Sequence, residues 1–178
     1  MADKTADGES TPGTADEAEN TWPESASHAR LHFVSGKGGT GKTTVAAALA
    51  LALAADGKRV LLVECEGRQG IAQLFDIPPL PPNDTRIATA EGGGEVSALA
   101  IDIEHALLEY LDMFYNLGFA GRAMKRIGAI DFVTTVAPGL RDVLLTGKIK
   151  ERIIHTDKAG NRVYDAVVVR TRKGVRRA

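Results

Sequence analysis

Nine residues, Gly36-Lys37-Gly38-Gly39-Thr40-Gly41-Lys42-Thr43-Thr44, constrain this chain more than any other stretch. The apolar run Leu31-His32-Phe33-Val34 precedes them and reads as a strand. Val45 to Ala55, almost all Ala, Val and Leu, follows and reads as a buried helix. The glycines therefore occupy a strand-to-helix turn, where backbone N–H groups converge on an anion. Glycine suits that turn because the loop visits positive φ and because a Cβ would keep phosphate oxygens away from the amides. Gly36, Gly41, Lys42 and Thr43 fill the fixed positions of G-x-x-x-x-G-K-[ST]. That pattern gives Lys42 the β- and γ-phosphates and gives the Thr43 hydroxyl a Mg²⁺ ion. The plainer alternative, a glycine-rich turn with two incidental lysines, has nothing to say about the strand before it or the helix after it.

Composition narrows the setting. A chain of 178 residues, 44% of them hydrophobic, is long enough for one domain with its own core. It contains no apolar run near the length of a membrane span. The polar, acidic start argues against a secretory signal. A single cysteine, Cys65, excludes an intramolecular disulfide and a C-x-x-C zinc clamp, and fits a reducing cytoplasm. Residues 1–29 carry seven acids against Lys4, a net of −6, so a total of −1 leaves +5 for the rest. With little but Trp22 to bury, residues 1–29 are expected to form a disordered acidic tail. The folded domain is expected over 30–178.

Lys37 directly follows the first glycine, and G-K-G-G-T-G-K-T-T resembles the deviant Walker A motif of the dimeric P-loop ATPases. Arsenite-pump, tail-anchored-protein-targeting, partitioning and septum-placing ATPases share that motif. The resemblance implies an α/β, three-layer P-loop NTPase with a mostly parallel sheet, binding ATP and Mg²⁺ through Gly36 to Thr44. It implies a nucleotide-sandwich dimer, with itself or with a related ATPase, in which Lys37 reaches the partner's phosphates in the manner of an arginine finger. A second segment separates the families. Ala98-Leu99-Ala100-Ile101-Asp102 and the helix after it resemble the A-L-x-I-D-P-x-x-A-L-x-E-Y of the arsenite-pump and tail-anchored-targeting ATPases, which partitioning ATPases lack. With Ala137-Pro138-Gly139 opening a helix, the resemblance covers roughly residues 31–169. It implies a cytoplasmic enzyme, peripheral at the membrane, that couples hydrolysis to a client or membrane partner such as a membrane protein, with no nucleic-acid partner. A partitioning ATPase and a non-catalytic nucleotide-binding fragment are the alternatives.

Local pattern supplies the remaining elements. A buried strand is expected at 60–63 and a short helix at 70–75. Pro78 to Pro82 reads as a stiff connector, and two short strands, 85–90 and 96–101, flank the glycines 92–94. Asp102 suits a helix N-cap, with Leu107, Tyr110, Leu111 and Phe114 on one apolar face. Further helices are expected at 119–127 and 139–154, the latter with Leu140, Val143, Leu144, Ile149 and Ile153 on its apolar side. Tyr164 to Val169 reads as a buried strand.

Three departures from the family pattern bear on hydrolysis. Glu66 stands at the first Asp of switch I, as a candidate metal ligand. Gln73 stands where arsenite-type ATPases carry the Asp that positions the attacking water; glutamine orients water in other P-loop enzymes. Arg170, a cation that would repel Mg²⁺, stands where the family continues into the switch II acid of D-x-x-P-T-G-H. On the resemblance, the chain is expected to be cut short before switch II, with the sheet incomplete at the C-terminus and hydrolysis impaired. The strand 164–169 would then be left as an open, aggregation-prone edge.

Overall fold

The computed structural model describes residues 28–65, 67–115 and 138–171. β1 (Leu31–Val34) enters the glycine loop as expected, and α1 (Lys42–Ala54) leaves it, starting three residues before the apolar run at Val45. Alanine and leucine lose little freedom on becoming helical, which favours α1. Gly57, at φ +76°, turns the chain out of it. β2 (Arg59–Glu64) is buried along its last five residues. α2 (Gly70–Leu74), β3 (Thr85–Thr89), a short 3₁₀ turn (Glu91–Gly93) and β4 (Glu95–Ala100) follow. α3 (Ile103–Tyr115) is capped by the Asp102 carboxylate, which accepts from the N–H of Glu104 at 2.9 Å and of His105 at 3.3 Å. α4 (Pro138–Ile154) and β5 (Ala166–Arg170) complete the order. The helix expected at 119–127 and the side chains of Leu111 and Phe114 lie outside the described residues.

The sheet runs β1-β5-β2-β4-β3. β5 pairs in parallel with both β1 and β2, β2 pairs in parallel with β4, and β3 is antiparallel to β4. One face packs under α1 and α2, through Ala46, Ala50 and Leu53 on Val60, Leu62 and Val168. The other packs under α3 and α4, through Ile149, Ile103 and Ile153 on Leu61, Val63 and Val167. This is a three-layer α/β arrangement with a mostly parallel sheet, as the family resemblance implies.

Three expectations need correction. The strand 164–169 is not an open edge: β5 lies inside the sheet, bonded on both sides, because its unbroken Val run is stable only where both faces and both edges are covered. The sheet instead ends at β1 and β3 among the described residues. α1 is buried on one side only, with Val45, Ala48 and Ala52 exposed. On α4, Val143 shares the helical spacing of Leu144 but is exposed, since the α3 seam takes Leu140 and Leu144.

The turn between β3 and β4 crosses the end of α1. A Cβ on Gly94 would stand 1.8 Å from the Ala54 carbonyl oxygen, so only glycine lets the two backbones pass.

Candidate phosphate-binding site

The parallel strands bring three chain segments together at their carboxyl ends. Val34 and Glu64 both lie in register with Arg170, one on each side. β5 thus separates β1 from β2 and delivers Arg170 between the glycine loop and the loop after β2. Ligand sites of open α/β sheets form at such strand ends.

The loop itself is open backbone. Gly39 and Gly41 hold φ of +80° and +75°, and a Cβ on either would meet nothing within 4 Å. Gly41 caps α1, no side chain bonds the first N–H groups of the helix, and its first turn carries no acid. Those N–H groups and the positive end of the helix dipole therefore face the loop without an internal anion. Lys42 is buried although it is a lysine, and its Nζ donates to the Lys37 carbonyl at 2.9 Å. The Thr40 hydroxyl donates to the same carbonyl at 2.9 Å. Both groups converge on one carbonyl oxygen of the loop, which keeps the Lys42 ammonium beside it. Lys37, Gly38, Gly39, Thr40 and Thr44 are exposed, Gly36 and Thr43 half-buried. Open amides, an uncapped helix and an aimed ammonium fit a nucleotide's phosphates.

Thr43 starts the contact with the next segment. A Cβ on Gly70 would lie 3.4 Å from Thr43 Oγ1 and 3.9 Å from Arg170 Cζ, so the glycine keeps the space beside the hydroxyl clear. That fits a metal ion on Thr43. Glu66 lies outside the described residues. Among the described residues no group of three His, Cys, Asp or Glu is placed to hold a metal. Gln73 sits on α2, one turn beyond Gly70, with its side chain exposed.

Two residues at this end were not singled out from sequence. Glu64, fully buried, accepts from the N–H of Gly70 and of Ile71, each at 3.0 Å, and from Arg170 Nη1 at 3.2 Å. Arg170 therefore reaches the site already paired with an anion, which weakens its expected repulsion of Mg²⁺. The signal for Glu64 was its place as the last residue of a buried strand, where an acid needs partners. Gln69 adopts φ +56°, and its side-chain amide makes both bonds to the backbone of Leu80, at 2.6 and 3.3 Å. The proline-rich connector is thereby fastened to the segment that carries α2.

Away from this end, a mostly apolar groove of about 340 Å³ runs between α3 and α4, past Tyr110, Met113, Val143 and Leu144. No helix among the described residues is long and apolar enough to cross a membrane.

The family described as anion-transporting ATPases matches residues 29–172. ATPase BagA of Mycobacterium tuberculosis is 72% identical over 148 residues, 83% of this chain and 44% of that protein. The arsenical pump-driving ATPases of Acidiphilium multivorum and Escherichia coli are 44% and 42% identical over 78 residues, 44% of this chain and 13% of each. The chain thus spans less than half the length of these relatives.

Proposed function

The chain belongs to the anion-transporting ATPase family, and on that premise we propose that Gly36 to Thr44 bind Mg²⁺-ATP in a nucleotide-dependent dimer that serves a client or membrane partner. The observation that carries the proposal is the loop: open amides at the uncapped start of α1, with the Lys42 ammonium held at the Lys37 carbonyl of the same loop. Backbone N–H groups from Gly38 to Thr43 would take the phosphate oxygens, and Lys42 would leave the Lys37 carbonyl for the β- and γ-phosphates. Thr43 would hold Mg²⁺, which would supply positive charge against the phosphates. Gln73 would orient the attacking water, in place of an acid and with a smaller pull on its proton; slow turnover follows from that. Lys37 is exposed, as a cation acting on a second subunit would be. The groove between α3 and α4 supports a client of apolar character. We place the protein in the cytoplasm, peripheral at a membrane.

Calorimetric titration with Mg²⁺-ATP tests this. Lys42→Ala is expected to weaken binding at least a hundred-fold, because the cation aimed at the phosphates is gone while the fold loses one bond to a loop carbonyl. Unchanged affinity removes the proposal. Lys37→Ala is expected to bind ATP within about three-fold of the parent but to stay monomeric with ATP in light scattering, since its charge acts across subunits. A normal dimer from that variant leaves nucleotide binding standing and sinks the trans role.

A further inference from the structure

Glu64 is the most deeply buried charge in the described structure, and nothing in the nucleotide chemistry above uses it. Burying a carboxylate costs several kcal/mol unless donors surround it. Glu64 has three donors, and their sources are informative. Two are backbone N–H groups, of Gly70 and Ile71, which open α2. The third is Arg170, delivered by β5. α2 has five residues and no side-chain cap of its own, since Gln69 before it lies in the left-handed region and spends its amide on Leu80. A helix this short does not hold itself together in water. Glu64 supplies the missing cap from β2, and at the same time holds Gly70 beside Thr43.

We propose that Glu64 is a positioning residue: it fixes the start of α2 on Thr43, so that nucleotide bound at Thr43 is felt by the segment carrying Gln73. Arg170 is its counter-charge, holding the carboxylate aimed at the two amides. The proposal rests on nucleotide binding at Gly36 to Thr44 and goes beyond it, by naming the link between that loop and α2. The link is mechanical. Two bonds to an ionised acceptor stabilise the α2 start, and Gly70 there stands beside the Thr43 hydroxyl, which a Cβ on it would meet at 3.4 Å. Besides Arg170 on β5, Glu64 bonds two amides of a segment facing the site, which a side chain that only stabilised the sheet would not do.

Amide hydrogen exchange on the whole chain, with and without Mg²⁺ and a non-hydrolysable ATP analogue, tests it. In the parent chain, nucleotide is expected to slow exchange at 36–44 and at 70–75 together. Glu64→Asp keeps the charge beside Arg170 but withdraws the carboxylate by about 1.5 Å, one carbon–carbon bond. Glu64→Gln keeps the length but removes the charge. Without nucleotide, the Gly70 and Ile71 amides should exchange roughly ten-fold faster in the Asp variant and faster still in the Gln variant. With nucleotide, 36–44 should still gain protection in both, while 70–75 no longer responds. A 70–75 segment that responds in the variants as in the parent overturns the proposal. If 36–44 gains no protection in the parent, the nucleotide reading itself fails and this inference with it, a result distinct from the first. Should Glu64→Gln not fold, seen as fast exchange in β2 and β4, Glu64→Asp decides alone. Asp84→Ala, which loosens a different buried group, should leave the coupled response of 36–44 and 70–75 intact.

Discussion

Glu64 and Asp84 are both acids drawn out of bulk water, each facing an arginine, yet they do different work. Glu64 bonds the backbone of α2 and faces the phosphate loop through Gly70. Asp84, just before β3, meets only side chains. Its Oδ2 accepts from the Tyr164 hydroxyl at 2.7 Å, and its Oδ1 lies 3.2 Å from Arg152 Nη1. That second contact is a charge contact rather than a hydrogen bond, since Oδ1 has no hydrogen-bond partner. Tyr164 leads into β5 and Arg152 belongs to α4, so Asp84 ties the sheet to the helix layer opposite α1. The same chemistry thus sets position where its partners are amides at the start of a short helix. It sets stability where its partners are long side chains from two layers.

The largest effect expected from this contrast is on stability. Asp84→Ala strands the Tyr164 hydroxyl and the Arg152 guanidinium, both largely screened from solvent. The cost should be about 2 kcal/mol, less than for a fully buried pair. Thermal melting should fall by about 5 °C, with ATP affinity within about two-fold of the parent. An affinity loss as large as the stability loss would erase the distinction between the two acids.

Tyr164→Phe probes the same group more gently. It removes one donor and leaves the ring packed, for an expected loss of about 1 kcal/mol in urea denaturation. A loss equal to that of Asp84→Ala would mean that the Arg152 contact contributes nothing.

The smallest effect is on pH dependence. Burial, helped by the hydrogen bond to Asp84 and by its charge, holds the Tyr164 phenol above its usual value. A raised native value means that the folded protein keeps the proton more tightly than the unfolded chain. The contribution is complete below the unfolded tyrosine value of about 10, and is lost as the pH rises above it. Between about pH 9 and 11 the parent should therefore lose more stability than Tyr164→Phe. Parallel curves would show that the phenol is not held by its surroundings.

How far the sequence could be read follows from range. β1, α1 and the Asp102 cap rest on neighbours a few residues apart, and the glycine loop on nine consecutive residues; all were legible. The position of β5 was not. Its Val run announced a buried strand, but not that it would lie between β1 and β2, with Arg170 beside Glu64 across 106 positions of sequence. From sequence alone Arg170 read as a cation intruding on a metal site; in three dimensions it is half of a pair. Gln69 escaped notice for a similar reason, because its left-handed backbone and its grip on Leu80 leave no local pattern. Val143 shows the converse, a correct periodicity that could not tell which apolar side chains the neighbouring helix would cover.

The claim under all of this is that Gly36 to Thr44 form a phosphate cradle. An amide-resolved nuclear magnetic resonance titration of the chain with Mg²⁺-ATP tests it most directly. The account predicts the largest shifts at the N–H groups of Gly39, Gly41, Lys42 and Thr43, smaller ones at Gly70 and Ile71, and none around Asp84. Those loop shifts should vanish in Lys42→Ala. Saturable shifts centred elsewhere, with the loop amides unmoved, would contradict it.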